Sequence, residues 1–151
     1  MSEKKIVPYE GYDIFKFEMR FEDVIQMLKK SGIQYKTEYW SNKGCDPEIP
    51  WEIIRIENNI SLFFAKKNMF KMYFENNDSF TLLNGIHIDM NMSEAIEIDS
   101  SLRLDDWEED YASSLGYWLE DDPKTNNIIS ITIFIKELEN DEKFFSYEWC
   151  R

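Results

Sequence analysis

Leu104-Asp105-Asp106-Trp107-Glu108-Glu109-Asp110-Tyr111 packs five acids and two aromatics into eight consecutive positions, and Glu120-Asp121-Asp122 adds three more carboxylates shortly afterwards. Carboxylates at such density can chelate a hard cation, work as an acid and base pair, or attract a cationic protein. The EF-hand loop needs a glycine at its sixth place and a ligand at its twelfth, and neither is here. No spacing singles out a carboxylate pair suited to glycoside hydrolysis. The aromatic residues decide for the third chemistry, because a large ring set among charges is costly to leave in water. An aromatic anchor ringed by acids is how a surface holds a basic protein. Each charge pair contributes only about 1 kcal/mol in water, yet several together raise association rates steeply at low salt. The residues expected at the partner-binding site are therefore Asp105, Asp106, Trp107, Glu108, Glu109, Asp110, Tyr111, Glu120, Asp121 and Asp122. The competing reading is a solvated acidic loop whose rings fold back into the core.

Other catalytic chemistry finds little footing. His87 is the single histidine, so neither a two-histidine metal site nor HExxH can form, and GxSxG, GxGxxG and Walker patterns are absent. His87 alternates with Ile86 and Ile88, which places it on the outward side of a strand. Cys45 and Cys150 lack CxxC or zinc-ligand spacing and are expected as free thiols. No enzyme activity, cofactor or metal is expected. A small carboxylate or thiol enzyme acting through Cys45 or His87 stays as an alternative, beside a regulatory or scaffold domain that binds a basic protein segment.

The 151 residues fit one domain. With 43% apolar and 16% aromatic residues the chain can bury a core. Its formal net charge of -13 repels phosphate backbones and anionic lipid, so neither nucleic acid nor membrane is an expected partner. Residues 1–75 carry 12 Lys/Arg and 12 Asp/Glu, whereas residues 76–151 carry 5 and 18, so the whole excess lies in the second half. No apolar run follows Lys4 and Lys5, and no stretch is long enough to span a bilayer, which leads to the expectation of a cytoplasmic protein.

The elements that must position these residues follow from periodicity. Phe21, Val24, Ile25, Met27 and Leu28 recur at spacings of three and four, with Glu22 and Asp23 first and Lys29 and Lys30 last, which predicts a helix over 21–30 stopped by Gly32. Runs rich in β-branched and aromatic residues at 34–40, 51–57, 60–65 and 69–75 read as an antiparallel meander, with turns at Asn58-Asn59 and Lys67-Asn68. Phe63, Phe64, Phe70, Tyr73 and Phe74 are assigned to its core. Ser93 is the expected N-cap of a shorter helix through Ile98. Leu115 to Leu119 and Ile128 to Lys136 follow as strand segments, and Phe144 to Trp149 offers a last one. Of the neighbours Tyr117 and Trp118, one should point inward and the other outward.

Met19-Arg20-Phe21-Glu22-Asp23-Val24-Ile25 aligns without gaps on Met90-Asn91-Met92-Ser93-Glu94-Ala95-Ile96. The expected fold class is therefore α+β, an antiparallel meander sheet with helices on one face, in two tandem helix-on-sheet repeats over 11–75 and 85–136. The aligned segments are similar to helix openings in the tandem-repeat architecture of β-lactamase inhibitor protein. As a small, acidic, motif-poor chain the sequence also resembles the immunity proteins of bacterial toxin systems, including contact-dependent growth inhibition. That resemblance implies a cytoplasmic stoichiometric inhibitor whose acidic surface occludes a basic toxin domain, often a nuclease.

Overall fold

The computed structural model describes residues 4–40, 51–105 and 110–138. Cys45, Cys150, Asp106, Trp107, Glu108, Glu109 and the expected strand at 144–149 lie outside the described residues. Three two-residue strands, β1 (Ile6–Val7), β2 (Gly11–Tyr12) and β3 (Phe15–Lys16), form a small antiparallel sheet. Helix α1 (Phe21–Ser31) then leads into β4 (Tyr35–Trp40), β5 (Trp51–Ile56), β6 (Ile60–Ala65) and β7 (Asn68–Glu75). Helix α2 (Met92–Ile98) leads likewise into β8 (Arg103–Asp105), β9 (Asp110–Ala112), β10 (Tyr117–Asp121) and β11 (Ile128–Phe134), which ends in one turn of 3-10 helix at Lys136–Leu138. The eight strands make one antiparallel sheet ordered β4-β5-β6-β7-β11-β10-β9-β8. The last strands of the two meanders, β7 and β11, pair at its centre. The fold is α+β, as the periodicities require.

Each helix is fastened to its own half by the same bonds. In the first half, Phe21 N–H donates to Lys67 O at 3.0 Å, Met19 N–H to Lys16 O at 3.0 Å, and Arg20 bridges Asn68. In the second, Met92 N–H donates to Asn126 O at 2.8 Å, Met90 N–H to His87 O at 3.2 Å, and Asn91 bridges Asn127. The first turn of each helix thus satisfies an otherwise orphaned donor on the turn that opens the last strand of its meander. Lys67 and Asn126, the two acceptors, both take positive φ, 69° and 61°.

Both helices cover one face of the sheet. Phe21, Val24 and Leu28 of α1 and Met92 and Ala95 of α2 are buried with Leu62, Phe64, Met72, Phe74, Leu119, Ile131 and Ile133. Each fully buried Phe or Leu of that set stabilises the fold by about 1.5–3 kcal/mol. Gly32 stops α1 in the left-handed conformation at φ 68° and donates to Leu28 O and Lys29 O. A smaller cluster, Ile53, Phe63, Ala65, Phe70, Phe134 and Leu138, packs on the second face. Phe63 and Phe70 therefore serve one side of the sheet, and Phe64 and Phe74 the other.

Two local expectations are corrected. The β6–β7 turn is Lys66-Lys67, with φ of 51° and 69°, while Asn68 already pairs with Ala65; the pairing register overrides the preference of Asn for that conformation. The N-cap of α2 is Asn91, not Ser93: the Asn91 side chain accepts from Ser93 N–H at 3.1 Å and from Ser93 Oγ at 2.7 Å. Ser93 supplies the donors that Asn91 caps.

Candidate functional site: the acidic end of the sheet and an adjoining hollow

Register determines which acids meet. Asp105 pairs with Asp110 across β8 and β9, Leu119 with Tyr111 across β10 and β9, and Glu120 with Ser130 across β10 and β11. A bulge between Glu120 and Asp121 shifts the ladder, so that Asp121 faces Ile128. Asp105, Asp110, Glu120, Asp121 and Asp122 therefore gather at one end of β8, β9 and β10, each half-buried. Asp122 also builds the β10–β11 turn: its Oδ1 accepts Lys124 N–H at 2.8 Å, and its backbone exchanges bonds with Asn126 and Asn127.

Tyr111 does not share the face of Asp105, Asp110 and Glu120. It stands opposite Leu119 and packs half-buried against the helix-side core. Asp110 and Glu120 instead look to the second face, where with Lys71, Tyr73, Trp118, Ser130 and Thr132 they line a hollow of about 280 Å³. Tyr117 is buried on the helix side and Trp118 is half-buried against the second cluster: alternation puts them on opposite faces, but the expected exposure of one is not seen, because the second face has a cluster of its own.

The hollow has its own order. Glu120 Oε1 accepts from Ser130 Oγ at 2.8 Å and from the Tyr73 hydroxyl at 3.2 Å. Burial pushes the Tyr73 phenol up to about 12, and the carboxylates of Glu120 and Glu75 push the same way. Ser130 and Thr132 are 2% and 8% exposed. Tyr73, Ser130 and Thr132 form a polar floor that the acidic motif alone does not disclose. A signal for it exists in Ile128-Ile129-Ser130-Ile131-Thr132-Ile133-Phe134, where two hydroxyls at alternate positions interrupt an apolar strand and mark one side as polar.

A second carboxylate network lies behind α2. Asp99, 5% exposed, accepts from Ser101 N–H at 3.0 Å, Ser101 Oγ at 2.6 Å, Ser113 Oγ and the Tyr117 hydroxyl. Burial alone would raise its pKa, but the bonds from Ser101, Ser113 and Tyr117 outweigh that and hold Asp99 below the ordinary aspartate value. Tyr117 is raised well above the ordinary phenol, by burial first and by its bond to Asp99 second. With both oxygens occupied from within, Asp99 ties α2 to β10 instead of facing a ligand.

His87 lies between buried Ile86 and Ile88, half-exposed, with Nδ1 2.8 Å from Ile88 O. Among the described residues no group of three or more His, Cys, Asp or Glu is placed to hold a metal ion, and no helix is long and apolar enough to cross a membrane. Compared with family models, with curated proteins and with solved structures, the chain matches none significantly.

Proposed function

We propose that this chain is a cytoplasmic immunity protein: it binds one cognate basic toxin domain, a nuclease, and neutralises it without chemistry of its own. The observation that carries the reading is the convergence of Asp105, Asp110, Glu120, Asp121 and Asp122 at one end of three adjacent strands, in the half of the chain that holds the charge excess. Carboxylates held on paired strands keep their spacing when a partner arrives, so attraction is gained with little ordering cost. A nuclease groove is lined with cations that normally meet phosphates, and a fixed row of carboxylates presents the same sign of charge to it.

The test is reconstitution with the toxic domain encoded by the adjacent gene. A one-to-one complex on size exclusion, together with loss of the toxin's activity at equimolar inhibitor, is the expected result. A neighbour whose product is not toxic, or a toxic product that neither binds nor loses activity, overturns the reading.

A further inference from the structure

We propose that the hollow bounded by Trp118, Glu120 and Thr132 receives a single arginine side chain projecting from the basic partner. The proposal deepens the inhibitor reading and takes the partner's identity from it. Three features of the hollow converge on a guanidinium. Glu120 is held in place by two hydroxyls, Tyr73 and Ser130, that both donate to Oε1; Oε2 has no hydrogen-bond partner among the described residues. The carboxylate is thus oriented with one acceptor in reserve.

Thr132 supplies the second feature. It is 8% exposed, lines the hollow, and its hydroxyl has no hydrogen-bond partner among the described residues. The hydroxyl is open to the hollow and so is available to accept a hydrogen bond from an incoming group. The third is Trp118, whose indole packs on Phe134 at 4.8 Å between ring centroids and lines the same space, so that a cation entering it comes beside an aromatic ring. A planar cation with several N–H donors can meet Glu120, Thr132 and the indole together, whereas an ammonium is a compact, strongly hydrated point charge. The roughly 280 Å³ of space holds a guanidinium and the outer part of its stem. Lys71 also lines the hollow, with its ammonium over the Phe63 ring at 4.2 Å and the Trp51 ring at 5.6 Å.

The test titrates N-acetyl-arginine methylamide into the protein and follows the Trp118 indole N–H by two-dimensional NMR. A saturable shift is expected, weaker by about fivefold or more with the neutral citrulline analogue or in Glu120→Gln, and by about threefold in Thr132→Val. Thr132→Val keeps the shape of the strand and removes no side-chain bond to a described residue, so its unfolding midpoint should match the parent; the midpoint of Glu120→Gln is measured beside it to separate binding from folding. No saturable shift, or equal shifts with arginine and citrulline, overturns the proposal. The toxin assay separates the two ideas. A toxin complex formed with parental affinity by Glu120→Gln discards the hollow and keeps the inhibitor reading. Arginine binding in the hollow without any toxin partner keeps the hollow and discards the inhibitor reading.

Discussion

The Tyr73 hydroxyl donates to Glu120 Oε1 across 3.2 Å, joining residues 47 positions apart and bridging the two meanders on the second face of the sheet. Ser130, on the strand between them, donates to the same oxygen. A carboxylate of the acidic half is therefore oriented by a phenol from the neutral half, and the site belongs to the whole sheet.

That phenol should leave a mark at high pH. Tyr73 ionises near 12 in the folded protein against an ordinary 10.0. Its contribution to stability is fully present below pH 10 and is lost as pH rises through the folded value, because the unfolded phenol releases its proton first. Tyr117 is raised in the same sense, so Tyr73→Phe should flatten the alkaline decline without abolishing it. Urea midpoints at pH 9 and pH 11.5 measure the difference, and an unchanged slope would contradict the assigned shift.

Asp99 predicts the opposite limb. Asp99→Ala strips the acceptor from Ser101, Ser113 and Tyr117 at once, and leaving the buried Tyr117 hydroxyl and two half-buried serine donors without it should cost about 2–3 kcal/mol. Because its folded pKa lies below the ordinary 3.8, the stabilisation is complete above that value and disappears as pH falls through the folded one. Asp99→Asn should therefore lose stability at pH 7 and differ least from the parent in strong acid. Equal losses at pH 7 and pH 2 would show that the negative charge is not what the hydroxyls stabilise.

Local pattern made α1 legible, since its apolar stripe, end charges and stop glycine agree. The acidic end was legible because its members are close in sequence. The hollow was not, because Tyr73, Trp118, Glu120 and Thr132 come from three strands of two meanders, and only the β7–β11 pairing brings them together. Strands β1, β2 and β3 were illegible for another reason: two residues cannot show a period of two. The side taken by Tyr111 could not be read either, for it follows from its pairing with Leu119 and from nothing in the surrounding charges.

Two glycines with positive φ should respond differently to alanine. Gly32 has open space where a Cβ would go, so Gly32→Ala loses only backbone preference, about 1 kcal/mol. A Cβ on Gly116 would overlap the Tyr9 ring at Cζ, adding overlap to strain, and Gly116→Ala should cost at least about 1 kcal/mol more. A double-mutant cycle with Tyr9→Ala should recover the added part. Equal losses at the two glycines would mean that the Tyr9 ring moves aside freely.

The acidic end makes the prediction that bears most directly on function. Asp121→Lys with Asp122→Lys reverses two charges beside a bulge and at a turn, where Asp122 gives up one acceptor to Lys124 N–H. Association with the toxin should slow by about tenfold or more at low salt, with a flatter dependence on ionic strength, while dissociation changes less, since charges at a rim act chiefly on encounter. Charge reversal across 105–110 should act in the same direction. Stopped-flow association rates between 20 and 500 mM salt discriminate the cases: if dissociation alone accelerates, the carboxylates are buried in the contact, and if neither rate moves, the toxin docks on another face of the sheet.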